Sequence, residues 1–466
     1  MSQISAGTAN VTNGNNTVQL PGADLTGVVS GAAFHVRGVD AVYSVIAAAP
    51  GASPPTVTLS VNYAGITASG AEYRITTGFS PNNNLYEPDP GDVDIPMLLK
   101  HRLVRPIDSG LNAFGSSART ILNYPGSDDT ARMMNMLADT GNILLPAGYT
   151  ALVDPITVYA STHKKCAVAG LGGPATIKLK DGSNADLLTF DGTNQSYDIS
   201  SVEGSYFRLD NIVLHGNKEN QTGGVACLKL RNASYSVITK SVIYKGFGDG
   251  IWVENYNGSP DSDEINIENS MIFFNGQNGI RLQYTYVTSS QAPGDHLITN
   301  CHINYNGLHG IYCPIGLATI ISNNNILTNG FSGGPGCGIR LGDFTANGSW
   351  AKASRFSVIG NQVRYNNNQG LYADGINSSI ISANQFHLNN RNTGGSNLDI
   401  WNAVDLAVTG NVCTDIDFTP INLYGAQFAY SSGLMITGNI FNGLSGGVNM
   451  ASSTYRSSCN VGLADA

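Results

Sequence analysis

The stretch ISNNNI (residues 321–326), repeated as VIGNQV (358–363), ISANQF (381–386), VTGNVC (408–413) and ITGNIF (436–441), decides how this chain folds. Four earlier copies carry the same pattern: FRLDNI (207–212), ITKSVI (238–243), IENSMI (267–272) and ITNCHI (298–303). Each runs apolar, polar, small or polar, then a turn residue, then polar and apolar again. Such short alternation specifies strands with one buried face. The copies start 23 to 37 residues apart. A recurrence of that length, with small insertions between copies, is the signature of a solenoid whose units bury their apolar residues only by stacking. No leucine ladder and no helical period is present. The pattern therefore predicts a parallel β-helix with about three strands per coil. Asn at the fourth position (Asn324, Asn361, Asn384, Asn411, Asn439) is expected at the bend between two strands, where it tolerates left-handed backbone.

A second series follows the first: GIWVE at Gly250, GIRLQ at Gly279, GIYC at Gly310, GIRLG at Gly338, GLYAD at Gly370, LDIW at Leu398, INLY at Ile421 and GVNM at Gly447. With the apolar positions inward, the outward column reads Trp252, Arg281, Tyr312, Arg340, Tyr372, Asp399, Asn422 and Asn449. A second outward column reads Glu254, Gln283, Pro314, Gly342, Asp374, Trp401 and Tyr424. Coils stack ~4.8 Å apart, so these residues share one ribbon. Aromatic rings beside Arg and carboxylates suit sugars, which present apolar faces ringed by hydroxyls. The alternative is a subunit interface. The longest loops (255–264, 284–296 and 343–355) all leave this strand, which favours it as the functional edge.

For glycoside hydrolysis, Asp374 and Asp399 lie one coil apart and two residues offset. That places their Cβ atoms roughly 8 Å apart, within the range of inverting enzymes. Glu254 lies four coils from Asp374 and is a separate candidate, with Asp263 or Glu264 as its partner. A lyase would need a base and charge neutralisation beside a uronic carboxylate, for which Arg340 with Asp343 is the candidate. Trp252, Arg281, Tyr312, Tyr372, Trp401 and Tyr424 are the expected sugar contacts. Asp261, Asp263 and Glu264 have the hard oxygen chemistry of Ca²⁺ ligands, against the plainer reading of a solvated acidic loop. No other metal or cofactor is expected. His296 reads as a loop residue, and His302 and His309 as structural.

Composition narrows the function. The 466 residues carry a net charge of -9, which argues against nucleic acid. Only 12% are charged and 55 are Gly, as turn-rich β structure requires. Seven Cys, without a C-x-x-C pair, read as buried small apolar residues. The opening MSQISAGTANVTNG predicts no secretory leader, and no apolar run is long enough for membrane insertion.

Residues 1–85 alternate strongly (TVQL, AFHVRGV, AVYSVI, TVTLSV, EYRITT) and predict an N-terminal β module of five or six strands. Residues 86–122 read as a Pro- and Asp-rich linker followed by a possible short helix at MLLKHRLVRPI (97–107). The segment SDDTARMMNMLADTG predicts a helix over Thr130–Ala138, capped by Ser127, Asp128 or Asp129 and ended by Gly141. It would cover the exposed edges at the end of a β-helix spanning 123–450. Residues 451–466 read as a C-terminal tail.

The run DDTARMMNMLADTG–NILLPAG, then ITV, then VAGLGGPATIKL resembles the entry segment of the pectate-lyase-like right-handed β-helix superfamily, and the Asn bends resemble its asparagine ladder. The resemblance implies an all-β, right-handed parallel β-helix of about 10–12 coils, with substrate along the outward ribbon. The family includes lyases, hydrolases, epimerases and binding proteins, so fold alone does not fix the chemistry. A small β module ahead of such a helix resembles bacteriophage tail spikes and tail-associated depolymerases. That resemblance implies a virion protein made in the host cytoplasm. It would be a homotrimer, held by its N-terminal module to phage tail or baseplate proteins, acting on a bacterial surface polysaccharide. Three functions are open at this point: depolymerase, non-catalytic adhesin and structural tail adaptor.

Overall fold

The computed structural model describes residues 2–30, 32–36, 42–77, 119–163, 165–193, 206–224, 226–255, 264–283, 294–331, 333–343, 353–390, 396–414, 424–442, 446–458 and 460. The chain divides into two units, residues 1–118 and 119–466. The expected linker up to residue 118, including the short helix over 97–107, lies outside the described residues.

The first unit is an eight-stranded antiparallel sheet. Besides the five expected strands it contains Ser2–Ile4, Ala9–Val11 and Ala68–Ala71. The last of these, ASGA, has no apolar alternation to announce it. Val18, Leu20, Phe34, Val45, Val57, Leu59, Tyr63 and Ile75 form its core, each at most 1% exposed.

The second unit is a right-handed parallel β-helix built from three sheets, two of 11 strands and one of 14. In one coil, Asn266–Glu268 lies in the first sheet, Met271–Phe273 in the second and Ile280–Leu282 in the third. Each strand pairs in parallel with its counterpart one coil on. The nine copies of the repeat span the first two strands of successive coils. Their inward residues, including Ile238, Ile267, Ile298, Ile321, Val358, Ile381, Val408 and Ile436, stack as an aliphatic column at most 1% exposed. Six cysteines among the described residues are buried.

The bend between the first two strands works differently from the expectation. The left-handed residue is the third of the motif (Asn300, Asn323, Gly360, Ala383, Gly410, Gly438), not the fourth. That reversal turns the fourth side chain inward. There Asn324, Asn361, Asn384, Asn411 and Asn439 each donate from Nδ2 to the Oδ1 of the next rung at 2.9–3.0 Å, and Asn460 accepts the last of these bonds. Each Oδ1 also accepts the backbone N–H of the preceding rung, as Asn384 does from Asn361 at 2.9 Å. Buried amide groups are thus satisfied by one another. A parallel ladder, Asn275–Asn306–Asn329–Asn366–Asn389–Asn397, lines the second bend. Here too the preceding residue (Phe274, Tyr305, Thr328, Tyr365, Leu388) has positive φ.

The second ladder draws the coils together before the third strand. A Cβ at Gly279 would lie 2.7 Å from the carbonyl of Gly310, and the same close approach explains the glycines at 250, 310, 338 and 370. At the N-terminal end, the helix Asp129–Thr140 is capped by Asp128, whose side chain accepts from Ala131 N at 2.9 Å. Gly141 ends it at φ 72, and Met133, Met136 and Leu137 face the coil beneath. At the other end, residues 451–466 are more than a tail. Tyr455–Ser458 adds a strand to the first sheet beside Leu434–Thr437, and Asn460 supplies the last rung.

Candidate functional site

The third sheet carries the expected ribbon. Its outward column, fixed by strand register, is Thr157, Thr189, Lys229, Trp252, Arg281, Tyr312, Arg340, Tyr372, Asp399, Gln427 and Asn449. One correction concerns the penultimate coil. The strand there is Tyr424–Ala429, so Gln427 takes the place expected for Asn422, which lies outside the described residues. In the second column Ala429, not Tyr424, follows Trp401. Tyr424 begins its strand opposite Ser396. The decoy is INLY at 421–424, which copies the ribbon pattern five residues before the stretch that pairs in its place.

Along the column, cations and rings alternate. Lys229 Nζ lies 4.0 Å from the Trp252 centroid, and Arg281 Cζ lies 4.7 Å from it. Arg340 Cζ lies 5.6 Å from Tyr312 and 5.5 Å from Tyr372. Because the partners belong to the coils before and after, the stacking direction is the helix axis. Cations thus lie over ring faces along the column. Trp252 is only 9% exposed. Trp252, Tyr312 and Tyr372, the expected sugar contacts, therefore share ring faces with Lys229, Arg281 and Arg340.

The two halves of the ribbon differ electrostatically. In the N-terminal half, Glu254 is buried and bonded to Lys229 Nζ at 3.0 Å and Arg231 Nε at 2.9 Å. Arg281 pairs with the buried Asp249 at 3.4 Å and donates from Nε to Gln283. Burial raises the Asp249 carboxyl, against bonds from Asn278 and Arg281. These charges are mutually compensated, as buried ion pairs must be. Glu254 thus sits in an ion-pair network remote from Asp374.

In the C-terminal half, Asp399 is 7% exposed. Trp401 Nε1 donates to its Oδ1 at 2.8 Å and Gln369 Nε2 to its Oδ2 at 3.1 Å. Burial pushes its carboxyl up to about 6, the two donors pull it down, and the nearby Asp374 adds to the rise. Asp374 is half-buried and accepts from Asn402 Nδ2 at 2.8 Å. Register places Tyr372 beside Asp399 and Asp374 beside Trp401, giving the one-coil, two-residue offset. Arg340 lies one coil before Tyr372. Its Nε is buried without a hydrogen-bond partner. Its place between two rings on the ribbon suits a hydrogen-bond donor to substrate.

Several residues at this site were not anticipated: Gln369, Asn402, Lys229, Asp249 and Cys337. A signal for three of them existed. The residue before each ribbon glycine (Asp249, Asn278, His309, Cys337, Gln369) forms its own polar column. In it, Asn278 N and Nδ2 bond Asp249, and Cys337 N bonds His309 Nδ1. His309 stacks on Tyr312, and burial lowers it to about 3. His296 lies in the loop just before the strand Leu297–Thr299, as expected, but is buried there. It accepts from Ile265 N at 3.2 Å and is likewise lowered to about 3.

Asp261 and Asp263 lie outside the described residues, as do residues 284–293 and 344–352 of the long loops. Glu264 is partly buried, and burial and Asp295 raise its carboxyl. Among the described residues no group of three or more His, Cys, Asp and Glu has metal-site geometry. No helix there is long and apolar enough to cross a membrane.

Fold and ribbon together define a right-handed parallel β-helix protein. The family described as "Right handed beta helix region" matches residues 156–292. The A-module of Azotobacter vinelandii mannuronan C-5 epimerase AlgE6 is similar in structure, with TM-score 0.51 and 16% identity over 74% of this chain and 100% of that one. The N-terminal fragment of bacteriophage Phi29 gene product 12 is similar at TM-score 0.51 and 16% identity, over 78% of this chain and 66% of that one. No curated protein matches the sequence.

Proposed function

We propose that the chain binds a bacterial surface polysaccharide along the outward face of the third sheet and cleaves it by inverting hydrolysis at Asp399 and Asp374. One observation carries the reading: two carboxylates on adjacent coils have opposite environments. Asp399 is buried and holds its proton to about 6, as a general acid must. Asp374 is more open to solvent and suits the general base. Their offset of one coil and two residues corresponds to roughly 8 Å between Cβ atoms, leaving room for the water that inversion requires.

In this mechanism Asp399 gives its proton to the glycosidic oxygen as the bond to the anomeric carbon breaks. Asp374 takes a proton from the water that attacks the opposite face of that carbon. Asp399 ends ionised and Asp374 protonated, and exchange with solvent restores both. Arg340, Tyr312 and Tyr372 would donate hydrogen bonds to sugar oxygens from the ribbon's edge. Glycan-active and phage proteins both occur among the similar folds. At these identities that supports the fold only. The tail-spike reading, with a virion-attaching N-terminal module and a trimer, rests on domain order.

A second reading, adhesion without cleavage, is favoured by the cation-filled ring stack, whose partners are already satisfied in the N-terminal half. The test is incubation with a panel of purified bacterial capsular and O-antigen polysaccharides, following chain length and the ultraviolet absorbance of unsaturated uronates. Shortening without new absorbance, lost in Asp374→Asn and Asp399→Asn, supports hydrolysis. New absorbance would replace it with a lyase reaction. Retention without shortening would leave adhesion.

A further inference from the structure

The two oxygens of Asp399 are held from different places. Trp401, on the same strand, donates to Oδ1, and Gln369, one coil earlier, donates to Oδ2. Gln369 is itself oriented. Its Oε1 accepts the thiol of Cys337 at 3.4 Å, from a further coil back. Cys337 is 3% exposed, and burial pushes its thiol up to about 12, so the sulfur stays a donor. An amide is nearly symmetric in shape, and a flip would ordinarily be easy. Here a flip would place Oε1 against the carboxylate and NH₂ against the S–H, losing both bonds.

We infer that Gln369, locked by Cys337, is the positioning residue that fixes the Asp399 carboxyl on the ribbon. The assignment deepens the reading of Asp399 as the acid, and rests on that reading only for its effect on cleavage. The groups facing Asp399 are Tyr372 from the preceding coil, Gln427 from the following one, Trp401 and Gln369 by hydrogen bond, and the nearby Asp374 and Cys337. Of the two amides, Gln369 is the one whose Nε2 donates to Asp399, at 3.1 Å. Removing it takes a bond from the ionised form alone, so Asp399 should hold its proton to higher pH.

Trp401 provides a reporter independent of activity, because its indole N–H lies on the same carboxyl. The other two tryptophans, Trp252 and Trp350, are replaced by Phe, and Trp401 emission is titrated. The parent should show a transition near pH 6 that Asp399→Asn removes. Gln369→Leu should raise its midpoint by about one unit, a tenfold change in acid dissociation. Cys337→Ala, which frees the amide, should move it the same way by less, and Cys337→Ser, which keeps a donor, should restore the parental value. An unchanged midpoint in folded Gln369→Leu, or equal behaviour of the two Cys337 variants, would overturn the assignment. If polysaccharide is cleaved, the alkaline limb of the rate profile should move with the midpoint. If none is cleaved, the proposed reaction fails while the titration still decides the role of Gln369.

Discussion

Asn361 and Asn384, on successive coils, share two hydrogen bonds, one from the backbone N–H of Asn361 and one from its Nδ2, both to Asn384 Oδ1 at 2.9 Å. Asn384 passes the same pair on to Asn411 at 3.0 and 2.9 Å. Every rung is therefore at once donor and acceptor in a buried row.

Replacing Asn384 by Leu should remove that rung and orphan the amide of Asn361 above a carbonyl at Val358 that loses its donor. Each unsatisfied buried group costs about 1–3 kcal/mol, so a loss of about 3–5 kcal/mol is expected. Chemical denaturation followed by circular dichroism measures it. Asn325→Ala, outside the ladder, should stay within about 0.5 kcal/mol.

Asp399→Asn should stabilise the protein at alkaline pH and not at acid pH. Burial pushes the folded carboxyl up to about 6, above the ordinary carboxylate range. Its folded state therefore holds the proton more tightly, and stability falls as pH rises from the unfolded value through about 6. A two-unit rise corresponds to at most about 3 kcal/mol. The asparagine should recover part of that above about pH 7, since it must still accept from Trp401 and Gln369. Urea midpoints for both proteins across the pH range test the sign. A gain that is largest in acid would refute it.

Arg340→Met should weaken retention on the polysaccharide column by more than it lowers stability. The apolar stem still fills the space between Tyr312 and Tyr372, while the cation on two rings, worth about 0.5–2 kcal/mol, is gone. Affinity electrophoresis and thermal melting, run together, separate the two effects. A large stability loss with unchanged retention would mark Arg340 as structural.

Gly279→Ala should destabilise the coil by about 1–3 kcal/mol, through overpacking against the Gly310 carbonyl. Gly148→Ala, where a Cβ meets nothing within 4 Å, isolates backbone strain at φ 72 from crowding. Comparing the two melting curves distinguishes the causes.

Much of this was legible in the chain. The apolar positions of nine repeats became the inner columns because strand period and coil stacking leave no other arrangement. Seven residues of the outward column, from Trp252 to Asp399 together with Asn449, follow from the same alternation. What alternation does not carry is where along a coil pairing begins. The YGAQFA strand has weak apolar contrast, so INLY drew the register to Asn422 and Tyr424. Nor does a pattern of residue types tell which ring faces carry a cation. That depends on neighbours a coil away, and Lys229 and Arg340 decide it for Trp252, Tyr312 and Tyr372. The second ladder was written in FNG, YNG and TNG (274–276, 305–307, 328–330), but these read as ordinary turns until two coils are laid together. The bond from Gln369 to Asp399 spans 30 residues and follows the same logic.

The ladders hold one bend per rung while coil lengths vary from 23 to 37 residues. Length is absorbed at the margins of the third strand, both after it and before it, where Leu327 is followed by the strand at Ile339 and Thr414 by the strand at Tyr424. A segment inserted there lengthens a rim without displacing a single column residue. The scaffold is thus indifferent to what hangs from its margin, and selection can rewrite the margin one coil at a time while the carboxylate pair keeps its spacing.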